Sequence, residues 1–177
     1  AKKEGMDAIT IRKVADQLES SIAPIYVNFK DIHELKQEVI TKIMEVSNQM
    51  LIEQNSGQPF HDIGVASLRF AKEYSVLFRD LVMRPNDLME DYDQGMGEGL
   101  IEHMKSDKDL KGLTEEELKM ILLKMRIFSV GLSIMVANGT MPQDFTEEQA
   151  IELLDSTAVD VISAAHFRKN EAGGHKE

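Results

Sequence analysis

"GMDAITIRKVADQLESSIAPIYVNFKDIHEL", Gly5 to Leu35, is the stretch whose reading decides the fold class. Thr10 is an N-cap candidate for a short helix, Ile11 to Leu18, in which Ile11, Val14, Ala15 and Leu18 share a face. Glu19 and Ser20 form a tight connection. Ser21 is placed to cap a second short helix, with Ile22, Ile25 and Phe29 on one side. Pro24 falls in its first turn, where an N–H would have no intrahelical partner. Asp31, with Glu34 at the capping-box position, starts a long third helix buried through Leu35, Val39, Ile43, Val46 and Met50. Two short helices joined tightly, with a third across them, have the geometry of a helix-turn-helix, whose second helix enters the major groove.

Outward from this stretch the chain stays helical in period, with no sustained alternation of the strand type. "NSGQP", Asn55 to Pro59, breaks the pattern. A helix with a broad apolar face follows, using Phe60, Ile63, Phe70, Tyr74, Leu77, Phe78 and Leu81. Pro85 opens a less regular region, and Asp91 to Glu102 reads as a flexible acidic connection running into a helix. Its acids partly match a calcium loop, but Met96 stands where the sharp turn needs glycine. Thr114 with Glu117, and Thr146 with Gln149, are capping boxes for two long helices, the first ending at Asn138-Gly139 and the second near Arg168. The tail from 170 to 177 reads as disordered.

The 177 residues are 42% hydrophobic and 29% charged, ordinary for a soluble globular protein. There is no cysteine, which excludes disulfides and cysteine-based metal or catalytic sites and fits a cytoplasmic location. The longest apolar run, Ile127 to Ala137, is too short to span a bilayer. Residues 1–50 carry seven Lys and Arg against eight Asp and Glu, and the rest carries 13 against 23. Such an acidic body repels phosphate, so any nucleic acid must meet the front end. No serine–histidine–aspartate signature and no convincing metal-ligand set is present, so the sequence predicts neither an enzyme nor a cofactor.

The opening stretch resembles the N-terminal domain of the tetracycline-repressor (TetR) family of transcriptional regulators. The matching residues are Gly5, Thr10, Val14-Ala15, Leu18, Ala23-Pro24-Ile25-Tyr26, Phe29-Lys30 and Glu34-Leu35. The family's first helix extends well ahead of this glycine, where only Ala1 to Glu4 stand, so the resemblance implies that the chain starts inside that helix. It also implies phosphate contacts from Thr10, Arg12 and Lys13, with Ser21, Ile22, Ala23 and Pro24 as the leading edge of the reading helix. Tyr26 would meet a phosphate through its hydroxyl, Val27 and Asn28 would face bases, and Lys30 would meet the backbone beyond. Val14, Leu18, Ile25 and Phe29 would be core.

Three positions depart from the family pattern: Glu19 at a turn usually glycine, and Ile22 and Ile32 where lysine is common. Each missing cation removes a counterion-release contribution, so DNA binding is expected to be weaker and less salt-steep. Base readout is open to Val27 against a thymine methyl or Asn28 bidentate to adenine.

The rest of the chain, by the same resemblance, is an effector-binding and dimerisation domain. Its methionines suit either core packing or a deformable pocket for a small apolar or aromatic effector. Lining candidates are Phe70, Tyr74, Phe78, Met89, Tyr92, His103, Met104, Met125 and Phe128. Gly131, Ser133, Ala137, Ala158, Ser163 and Ala164 allow close helix approach in the last two helices, as a homodimer interface or within one chain.

The expectation is therefore an all-α protein with a DNA-binding helix-turn-helix domain over 1–46, its first helix truncated, and a helical bundle over 47–169. It would act as a homodimeric repressor released from a palindromic double-stranded DNA operator by a small molecule, with no membrane partner. The alternative is a helical dimer with a degenerate DNA-binding domain, acting through protein partners.

Overall fold

The computed structural model describes residues 1–83 and 90–174, and all regular structure among them is α-helical or a single helical turn of another kind. The helices are α1 Ile11–Gln17, α2 Ala23–Asn28, α3 Ile32–Gln54, α4 Pro59–Glu73, α5 Ser75–Phe78, α6 Glu90–Lys105, α7 Glu115–Ala137 and α8 Glu147–Gly174. A π-helical turn, Arg79–Met83, continues α5, and a 3-10 turn, Lys108–Leu110, precedes α7. Among these residues no helix is long and apolar enough to cross a membrane.

Two apolar centres hold the chain together. The first joins the front to α5: Met6, Ile9, Leu35, Ile40, Ile43, Leu77 and Leu81 are buried, with Val14, Phe29 and Ile32 packed against them. The second fills the body with Phe60, Ile101, Met104, Leu110, Leu118, Ile121, Met125 and Leu154. Helix α4 runs between them and packs against α3, α6, α7 and α8. Gly64 permits its approach to α8, because a Cβ there would lie 2.4 Å from a methyl of Leu154.

Helix ends follow the side chains available. Asp31 accepts from the N–H groups of His33 (2.8 Å) and Glu34 (3.0 Å) and starts α3. Thr114 and Glu117 bond each other's backbone N–H in a complete capping box at α7. Thr146 and Gln149 do the same before α8. Buried Asp107 accepts from the N–H of Phe60 (2.9 Å) and of Asp109 (3.0 Å), fixing the start of α4 to the segment between α6 and α7.

Three sequence expectations are corrected. The helix after "NSGQP" does not run unbroken to Leu81: Tyr74, at φ −125° and ψ 40°, ends α4. Residues 91–102 are helical within α6, where buried Ile101 and Met104 outweigh the poor helix propensity of its glycines. Helix α8 continues past Arg168 to Gly174, since nothing between Lys169 and Ala172 breaks a helix, and residues 175–177 lie outside the described residues.

Candidate nucleic-acid interface

Thr10 caps α1 by accepting from the N–H of Lys13 at 3.2 Å. The helix closes with two reversed bonds, Glu19 N–H to the Asp16 carbonyl (3.1 Å) and Ser20 N–H to the Ala15 carbonyl (3.0 Å). This closure needs a left-handed residue after the C-cap, and Glu19 takes it at φ +51°. The second helix begins without a side-chain cap, contrary to the expectation for Ser21. Ile22 is already in helical conformation, and Ser20 Oγ donates to the Ser21 carbonyl (3.0 Å).

Helix α2 turns Ile25 inward, 4% exposed, with Phe29 half-buried beside it. The rest of it is open: Tyr26 is 54% and Val27 83% exposed, and Ile22, expected on the packing side, is 49% exposed at the start of the helix. Ser21, Ala23, Pro24 and Asn28 are exposed as well. The amide of Asn28 donates to the Pro24 carbonyl at 2.8 Å. Leu18 is not core: it is 64% exposed at the C-cap of α1, and Ala15 with half-buried Val14 makes the inward contact.

No residue of α2 is charged. The cations flank it in sequence at exposed Arg12, Lys13 and Lys30, with the Lys13 ammonium 3.2 Å from Glu4. Ile32 is half-buried and packs under the front, which explains an apolar residue there. The Asp31 carboxyl is held below its ordinary range, first by the Glu34 N–H.

Gly5 joins this front to the body. It sits at φ +86°, and the next N–H, of Met6, donates to Asp80 Oδ2 at 2.9 Å. A Cβ on Gly5 would lie 2.1 Å from that oxygen. Asp80 belongs to the π-helical turn, and no motif in the sequence marks it.

The described residues among those proposed to line an effector pocket fall in more than one apolar cluster. Phe70 and Tyr74 stack at 5.4 Å in the first apolar centre, and buried Phe78 lies on α5. Met104, Met125 and Phe128 belong to the second centre, and His103 points to solvent. Met89 and the side chain of Tyr92 lie outside the described residues. An apolar crevice of about 220 Å³ between α3 and α4 includes Phe70 and Tyr74 in its walls, with the Lys2 ammonium 4.0 Å over the Tyr74 ring. A larger open groove, about 790 Å³, runs between α6 and α7 past Ile101, Leu122 and Leu123. Among its charged lining residues, Glu102 pairs with Lys105, and Glu115 with Lys105 and Lys119.

The small residues of the last two helices also divide. Ser133 is buried, Ala158 and Ala164 are half-buried, Gly131 and Ser163 are exposed, and the side chain of Ala137 lies outside the described residues. The open face of α7 is instead apolar, with Met120, Leu123, Ile127 and Met135 all between 44% and 67% exposed. Val159 (62%) and Phe167 (63%) are exposed on α8. On α7 the spacing through Gly131 is that of one helical stripe, a signal present in the sequence.

Compared with known proteins, the chain matches no family model and no curated protein.

Proposed function

We propose that this protein is a DNA-binding transcriptional regulator of the TetR kind, a homodimeric repressor whose α1–α2 pair is a helix-turn-helix. The observation that carries this reading is α2 itself. It is packed through Ile25, follows a closed turn, leaves Ile22, Tyr26 and Val27 open, and is flanked in sequence by exposed Arg12, Lys13 and Lys30. Apolar side chains are normally covered, and an outward row of them on a short helix is suited to an interface.

Two copies joined through the apolar faces of α7 and α8 would present two reading helices to a palindromic operator. A small apolar or aromatic effector held in the body would act as inducer by binding better to the state whose reading helices are wrongly spaced. The bond from the Met6 N–H to Asp80, beside Gly5, supplies a contact through which the body would move the front.

The test is binding of the full chain to the DNA upstream of its own gene at several salt concentrations. Affinity should fall with salt, and Arg12→Ala and Lys30→Ala should each lower the slope by about one. Binding that is absent, or insensitive to salt, sinks the proposal. An effector is recognised separately, as a compound that lowers operator affinity at saturation.

A second reading rests on the same face. With Glu19 at the turn and no cation on α2, exposed Leu18, Ile22, Tyr26 and Val27 also suit a protein partner, and the dimer would then act without DNA.

A further inference from the structure

We propose that α2 selects its DNA by apolar contact between Val27 and the C5-methyl of thymine, and that Asn28 is not the selecting residue. The inference rests on the DNA-binding reading above and names the chemistry it would recognise.

Val27 is two positions from buried Ile25, about 200° around the helix, so it stands opposite the packing side. At 83% it is the most exposed large apolar side chain among the described residues. Its exposure serves no contact within the chain. Among the base edges of the major groove, thymine alone offers an apolar group. Covering a valine with that methyl removes both from water.

Asn28 is differently placed. Its amide already donates to the Pro24 carbonyl of its own helix at 2.8 Å. Adenine recognition by both amide atoms would have to use the second N–H in the orientation that this bond allows, whereas Val27 needs no orienting partner. Helix α2 carries no arginine or lysine, so the bidentate contact to guanine is absent from its repertoire. Flanking Arg12, Lys13 and Lys30 can hold the backbone but carry no sequence information there.

The experiment starts from random-sequence duplexes selected with the full-length protein. Each thymine of the selected duplex is then replaced singly by uracil, which lacks only the methyl. One thymine per half-site should show about fourfold weaker binding as uracil, the loss expected for one buried methyl-sized group. Val27→Ser should abolish that difference and leave the salt slope unchanged. Asn28→Ala should keep it. Because Val27 is exposed, Val27→Ser should fold normally, which circular dichroism checks.

Uracil tolerated at every position, or a uracil effect that survives Val27→Ser, overturns the proposal. Failure to select any duplex, with no salt-dependent binding, is a different result: it removes the DNA-binding reading and this inference with it, and favours the protein-partner role for the same face.

Discussion

Glu19 and Gly139 hold the same place in two copies of one helix ending. After α7, Gly139 N–H donates to the Val136 carbonyl (3.2 Å) and Thr140 N–H to the Met135 carbonyl (3.0 Å), the pattern that Glu19 and Ser20 make after α1. Gly139 meets the left-handed requirement at φ +64° without a side chain, whereas Glu19 meets it at φ +51° with one. An L-residue with a Cβ pays roughly 1–2 kcal/mol for that conformation. Glu19→Gly should therefore raise stability by about 1 kcal/mol in urea denaturation, less whatever glycine adds to the freedom of the unfolded chain. Gly139→Ala should lower it by a similar amount. Equal stability of Glu19→Gly and the parent would mean that the turn relaxes without strain.

Gly5 and Asp80 make the next test. Gly5→Ala combines a left-handed backbone with a Cβ at 2.1 Å from the Asp80 carboxylate, so the contact between front and body must open. Hydrogen exchange of the Met6 amide should accelerate sharply. Asp80→Ala removes the acceptor for that partly buried amide and should cost about 1–3 kcal/mol.

Asp107 caps α4 from a position 47 residues away. Both of its oxygens are used and the residue is buried. Asp107→Ala should destabilise the protein by about 1–3 kcal/mol, and Asp107→Asn by less, because the amide oxygen still serves one N–H. Thermal melts of the two variants check the order.

The carboxyl of Glu117 is held below its ordinary range, first by the N–H of Thr114 at 2.7 Å. A depressed carboxyl contributes stability above its unfolded value and loses it as pH falls through the lower folded value. The start of α7 should therefore weaken on acidification below the ordinary glutamate range. Glu117→Gln should remove that part of the acid dependence. Melting temperatures between pH 6 and pH 3 would reveal it as a shallower slope in the variant.

Ile127 and Phe167 test the proposed dimer. Both are exposed on the open faces of α7 and α8, at 67% and 63%. Ile127→Glu and Phe167→Glu should each convert a dimer to a monomer in light scattering while leaving the helical circular dichroism signal intact. A Ser133→Glu variant should instead unfold the body, because Ser133 is buried within the chain.

From the sequence alone followed the helical class, the two capping boxes, the caps at Thr10 and Asp31, and the inward placing of Ile25 and Phe29 though not of Ile22, because each depends on neighbours within one or two turns. It also marked the glycine ahead of α1, without showing what lay beside it. Tertiary structure alone decided that Asp80 faces Gly5, that Asp107 serves Phe60, and that the aromatic and methionine candidates of the body fall in separate clusters. It also decided that Leu18 is open and that α6 forms through its glycines. Those outcomes depend on groups tens of residues apart, whose meeting is set by how α4 packs against its neighbours. Local periodicity says which side of a helix is apolar, but only the packed chain says whether that side is covered.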